Sequence, residues 1–202
     1  SDGSYSMPGL GPGRWYVQAR ASRRQAQEVV LELASRCAAA DRPIFLILAP
    51  RHPERFDLAA RLVRERGFVL DRRSTDESPR PGSDVFLLDT MGELARAYRL
   101  GRVAFIGGSL VPTGGHNPLE AAVWGVPVLS GSHVFNFDQV YEEMTAAGAA
   151  RLVADGAELR MAAAEWLHDP KLAHAAGAAG REAVERNRGA TARTISALLE
   201  LV

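Results

Sequence analysis

Two rhythms of apolar positions alternate along the chain. The first is the short continuous run. Ile44 to Leu48 (IFLIL) is apolar at every position and stops before Pro50, as expected of a strand buried on both faces of a parallel sheet. Val85-Phe86-Leu87-Leu88, Val103 to Ile106 and Val126 to Leu129 repeat the pattern. Trp15 to Gln18 and Phe68-Val69-Leu70 predict shorter strands, and Arg151-Leu152-Val153 is a candidate edge strand. The second rhythm has the helical period. From Ser22 to Ala40 it places Val29, Val30, Leu33 and Cys37 on one face, with Arg23, Arg24, Gln27, Glu28 and Arg36 supplying polarity. Further helices are predicted over Phe56–Arg66 (closed by Gly67), Gly92–Leu100, Asn117–Trp124, Phe137–Ala147 (followed by Gly148) and Ala157–Leu167. A last helical stretch runs over Pro170–Leu201, with a bend expected at Gly177 or Gly189. The segment from Thr75 to Gly82 is a polar loop. Strand and helix alternate throughout, the signature of an α/β domain with a parallel sheet and helices on both faces.

Size and composition agree with one such domain. The chain has 202 residues, of which 47% are hydrophobic, enough for a sizeable core. Residues 14–202 make the domain; residues 1–13, rich in Gly, Pro and Ser, read as a linker or cloning scar. Basic and acidic residues balance at 24 each, so the footprint of a nucleic-acid binder is missing. No segment has the roughly 18 apolar residues needed to span a bilayer. A single cysteine, Cys37, excludes a disulfide within the chain and suits a cytosolic compartment.

In parallel sheets the ligand sits outside the carboxyl ends of the strands, so the loops that follow strands carry the candidate chemistry. The loop after Ile106 is the richest. Gly107-Gly108 and Gly114-Gly115 allow close approach of backbone to a ligand. Asn117 is a good N-cap and Pro118 fits the first helical position, so a helix start beside the glycines predicts an anion site for a phosphate. Glu120, three residues on, is open between a ligand role and a capping box. Arg51 and His52 directly follow a buried strand. Arg51 could grip a phosphate through its fork or pair with Glu54 on the surface. His116 could donate to a phosphate or order its loop, and His133 could do either. His168 and His174 read as surface residues. There is no G-x-G-x-x-G or Walker A pattern, which disfavours NAD and ATP, and no metal-ligand spacing.

At these residues the sequence resembles a known family. Ala49-Pro50-Arg51-His52-Pro53-Glu54-Arg55-Phe56, Asp89-Thr90-Met91-Gly92-Glu93-Leu94, Phe105-Ile106-Gly107-Gly108-Ser109, Gly114-Gly115-His116-Asn117-Pro118-Leu119-Glu120 and Phe135-Asn136-Phe137 are similar to Kdo transferases, the 3-deoxy-D-manno-octulosonic acid transferases of lipopolysaccharide synthesis. The resemblance implies a GT-B architecture of two Rossmann-like domains, of which this chain matches the C-terminal one. It implies a CMP-Kdo or CMP partner, no cofactor, and an inverting transfer without metal at the sugar centre. Glu120 would hold the ribose hydroxyls; Arg51 and the backbone around Asn117 the phosphate; Met91, Gly92 and Glu93 the nucleotide pocket. The candidate donor site is thus Arg51, His52, Met91, Gly92, Glu93, Gly108, Gly114, Gly115, His116, Asn117 and Glu120. A lipid A precursor would reach the site through an N-terminal domain that also supplies the base and the contact with the cytoplasmic face of the inner membrane. One departure stands out: the family usually reads close to Ser-Thr-His-x-Gly-Glu after the first strand, whereas this chain has Ala21-Ser22-Arg23-Arg24-Gln25-Ala26. The rival readings are a UDP-sugar epimerase of the same architecture and a non-catalytic nucleotide-binding module.

Overall fold

The structure, a computed structural model, describes residues 15–21, 44–76 and 78–187. Among these residues the strands are β1 (Trp15–Ala21), β2 (Ile44–Pro50), β3 (Leu70–Arg72), β4 (Val85–Leu87), β5 (Val103–Ile106), β6 (Val128–Gly131) and β7 (Ala150–Val153). The helices are α1 (Phe56–Glu65), α2 (Leu94–Ala97), α3 (Leu119–Ala122), α4 (Asp138–Ala146), α5 (Gly156–His168) and α6 (Pro170–Asn187). The strands form one sheet in the order β3-β4-β2-β1-β5-β6-β7, and every pairing is parallel. β2, β3 and β4 lie to one side of β1, and β5 to β7 to the other. The winding therefore reverses between β1 and β5, the position where such sheets bind ligands at their carboxyl edge.

The continuous apolar runs are explained by packing on both faces. Every residue of β2 is buried. Ile44, Leu46 and Leu48 join the core that contains Leu62 and Val63 of α1, while Phe45 and Ile47 join the opposite core with Phe86 and Ala97. On the other half of the sheet, Phe105 and Leu129 share the first core with Leu159 and Trp166 of α5. Ala104, Ile106 and Val128 face Ala121 of α3 and Tyr141 and Met144 of α4. Each fully buried Leu or Phe contributes roughly 1.5–3 kcal/mol, so a strand with two buried faces is held far more firmly than its length suggests.

Two helices, α5 and α6, are capped by aspartate side chains. Asp155 accepts from the amides of Ala157 (2.7 Å) and Glu158 (2.9 Å), and the Glu158 carboxylate accepts from the amide of Ala154 at 2.7 Å. Asp169 caps α6 through the amides of Lys171 and Leu172, with Pro170 between them in sequence. α6 continues as one helix through Gly177, one of the two positions at which a bend is expected. The glycine serves packing instead: a Cβ there would overlap the Gly125 carbonyl in the turn after α3. The expected helix over Ser22–Ala40, with Cys37, and the region of Gly189 lie outside the described residues.

Several strand boundaries differ from the apolar pattern, among them those of β3 and β6. β3 begins at Leu70 instead of Phe68, because Val69 is exposed and its amide and carbonyl bond to Asp84. The strand instead buries Asp71, matched by Arg80, whose backbone amide and guanidinium both donate to it. Burial pushes the Asp71 carboxyl up, but the Arg80 bonds outweigh it and hold it below the usual range. β6 extends to Ser130 and Gly131; a Cβ at Gly131 would overlap the carbonyl of Ser109. The helix expected over Gly92–Leu100 resolves into α2 followed by a 3-10 turn over Tyr98–Leu100.

Candidate functional site

Three loops at the carboxyl edge enclose a cavity of about 380 Å³. Ala49, Pro50 and Arg51 enter it from the end of β2, and Leu88, Thr90, Met91 and Gly92 from the end of β4. Leu94 and Ala95 of α2 and Glu120 of α3 complete the lining. The cavity thus brings together Arg51, Met91, Gly92 and Glu120 of the residues singled out from the sequence. Cavities of about 460 and 470 Å³ flank α6, but they adjoin residues that precede strands, the wrong edge for a ligand in this kind of sheet.

Arg51 does not pair with Glu54. Its guanidinium donates to Nδ1 of His116 at 2.9 Å, across a sequence separation of 65, and His52 is the residue near Glu54, at 3.9 Å. A guanidinium can only donate, so Nδ1 of His116 accepts and its ring proton sits on Nε2. His116 is itself buried, and its carbonyl accepts from the Tyr141 hydroxyl at 3.3 Å. Tyr141 in turn accepts from Ser130 at 3.0 Å, and burial raises its pKa, so it remains a neutral donor. A chain of bonds therefore runs from β6 through α4 to His116 and fixes where Arg51 points.

The glycine loop is closed against the loop after β6. Gly115 donates to the Gly108 carbonyl at 2.8 Å, and the Thr113 hydroxyl caps the same carbonyl at 2.6 Å. His133 donates to Ser109 and Asn136 to Gly114, and the Ser109 hydroxyl receives the Gly131 amide at 2.7 Å. Gly108, Gly114 and Gly115 all adopt positive φ, which L side chains rarely reach. At Gly114 a Cβ would also overlap the Asn136 side chain. The Asn117 side chain accepts from the Leu119 amide at 3.0 Å, but the helix starts one residue later than expected, with Pro118 at its N-cap. The helix is also shorter than expected: α3 has one turn over Leu119–Ala122, ending before Gly125 at φ 70. With the Leu119 amide taken by Asn117, Arg51 becomes the principal cationic group of the cavity wall.

Glu93, expected at the nucleotide pocket, is not among the residues lining the cavity, and its carboxylate is engaged by neighbouring side chains. Arg73 donates to both of its oxygens, at 3.0 and 3.1 Å, and the Thr90 hydroxyl donates as well. Burial pushes the Glu93 carboxyl up, while the bonds from Thr90 and Arg73 prevail and hold it below the usual range. Asp89, at the other end of the same loop, is buried and receives Arg72 Nε at 2.7 Å, the Ser74 amide at 2.8 Å and the Ser74 hydroxyl at 2.6 Å. Sequence reasoning did not reach Arg72, Arg73, Ser74 or Tyr141. The one signal available was the basic pair Arg72-Arg73, separated from a short apolar segment by Asp71 alone. Among the described residues no group of His, Cys, Asp and Glu comes together to hold a metal, and no helix is long and apolar enough to cross a membrane.

No family model matches the chain. It is 37% identical over 180 residues to the 3-deoxy-D-manno-octulosonic acid transferase of Haemophilus influenzae, covering 88% of this chain and 42% of that protein. The protein of the same name from Bordetella pertussis is 38% identical over 188 residues, covering 90% of this chain and 44% of the relative. The chain therefore spans less than half the length of these curated relatives. Among solved structures, the C-terminal CMP-Kdo binding domain of WaaA from Acinetobacter baumannii superposes with a TM-score of 0.80 at 31% identity, over 86% of this chain and 90% of that one. A mutant of S. aureus TarM, solved in complex with UDP, at 13% identity and TM-score 0.66, shares the fold alone.

Proposed function

Because this chain belongs to the 3-deoxy-D-manno-octulosonic acid transferase family, with the fold of its C-terminal domain, we propose that it is the donor-binding half of a glycosyltransferase that takes Kdo from CMP-Kdo. The observation that carries this reading is the cavity at the carboxyl edge, lined by an arginine that bonds to a buried histidine and by the carboxylate-bearing residue Glu120. Arg51, with the backbone around Asn117, holds the phosphate; Glu120 accepts from the ribose hydroxyls; Thr90, Met91 and Gly92 shape the nucleotide side. A leaving CMP gathers negative charge as the anomeric carbon loses its bond, and a preoriented guanidinium stabilises that charge better than water can. The acceptor, a lipid A precursor, and the general base that takes its proton belong in this proposal to a domain outside this chain. The whole protein would work at the cytoplasmic face of the inner membrane.

Titration calorimetry of the chain with CMP, UMP, AMP and NAD tests the reading. Tightest binding is expected for CMP, with Arg51- and Glu120-lined amides shifting in NMR. Equal affinity for UMP, or shifts confined to the α6 cavities, overturns it. The isolated chain is expected to transfer no Kdo.

A further inference from the structure

The Asp89–Glu93 loop supplies three lining residues to the donor cavity, yet it has little of its own to hold it there. Met91 is 73% exposed, and Gly92 takes φ 86 with nothing near its missing Cβ. What holds the loop is one tripeptide from the neighbouring strand end. Arg72 and Ser74 grip Asp89 at the start of the loop, and Arg73 grips Glu93 at its end. The Arg73 amide also donates to the Leu87 carbonyl at 2.9 Å, which ties the tripeptide to β4 just before the loop leaves it. Arg72 is further braced by Asp57 of α1 at 2.8 Å.

We infer that Arg73 is a positioning residue for the donor site, holding the Thr90–Gly92 wall in place through Glu93, and that Glu93 shapes nucleotide selectivity through this clamp without touching the nucleotide. The inference rests on the donor-site reading above. The physical reason is geometric. Arg73 engages Glu93 through two nitrogens, a fork that fixes orientation as well as distance. Thr90 bonds the same carboxylate, so the loop is closed on itself from Thr90 to Glu93. A loop closed at both ends by partly buried charge pairs presents one shape to a base; a loosened loop presents many and loses discrimination first.

The test uses the full chain and three variants: Arg73→Met, Arg73→Lys, and the exchange Arg73→Glu with Glu93→Arg. Amide hydrogen exchange without ligand is read first. Arg73→Met should speed exchange of the Thr90–Glu93 amides at least tenfold while β2 and β5 keep their protection. Arg73→Lys, which keeps the charge but not the fork, should fall between. In calorimetry Arg73→Met should narrow the CMP-to-UMP preference at least fivefold, and the exchanged pair should restore most of it. Unchanged exchange in Arg73→Met overturns the clamp whatever nucleotide the protein prefers. An exchanged pair that recovers loop protection but not selectivity makes Glu93 a direct ligand and overturns the indirect role. Wild-type protein that prefers a nucleotide other than CMP counts against the proposed donor, while the exchange data still decide the clamp.

Discussion

Replacing Arg51 by methionine isolates the phosphate interaction at the proposed site. Methionine keeps most of the apolar stem and removes the guanidinium. In the folded protein Arg51 gives one donor to Nδ1 of His116 at 2.9 Å, which leaves the rest of its five-donor fork directed by that anchor. Hydrogen bonds to charged groups contribute roughly 1.5–3 kcal/mol each. Arg51 is exposed, so solvent and salt weaken the interaction, and the low end, about 1.4–2 kcal/mol, is the reasonable expectation. That corresponds to about a ten- to thirtyfold loss of CMP affinity. Cytidine, which has no phosphate, provides the control. Titration calorimetry of wild type and Arg51→Met with both ligands forms a cycle in which losses of pocket shape cancel. The loss for CMP should shrink at high salt, and cytidine affinity should stay within about twofold, a difference well under 1 kcal/mol. Equal losses for CMP and cytidine would mean that Arg51 only supports the pocket wall. No loss for either would remove it from the site and leave its bond to His116 a structural one.

Two further predictions concern the carboxylates. Glu120→Gln should weaken CMP binding about tenfold if the carboxylate accepts from the ribose diol, since one acceptor becomes a donor, and the penalty should vanish for 2′,3′-dideoxy-CMP; unchanged CMP affinity in a folded protein refutes the ribose role and leaves a capping one. Asp71, Asp89 and Glu93 all have folded-state pKa values held below their unfolded values, by Arg80, by Ser74 with Arg72, and by Thr90 with Arg73. The sign follows: the unfolded chain binds more protons on acidification, so their stabilisation is complete above the ordinary carboxylate range of about 4 and is lost as pH falls through the lower folded values. Urea midpoints measured from pH 7 down to 3 should drop below about pH 4, and Asp89→Asn should flatten part of that fall; a wild-type midpoint independent of pH would contradict the pairing.

The periodicity of apolar residues was sufficient for the α/β class and for most strand positions, because β2, β4 and β5 are buried on both faces and the same apolar choice suits either side. Local chemistry was likewise enough to mark Asn117 as bonding the helix start, though one residue before the N-cap, and for the glycines at 108, 114 and 115, whose positive φ is a property of one residue. Periodicity misplaced β3, since the strand buries Asp71 beside Leu70, and an acid becomes buriable only when Arg80 arrives to match it. It left Gly177 and Gly189 as alternative bend positions; the carbonyl that excludes a side chain at Gly177 belongs to Gly125, far away in sequence. The sheet order, the aiming of Arg51 by His116, and the hold of Arg72 to Ser74 on the loop from Asp89 to Glu93 were likewise settled only by tertiary structure. Polar pairs of this kind have no period and no fixed spacing. They form when the sheet stacks strand ends side by side, and the energy of each depends on the burial that the rest of the chain provides.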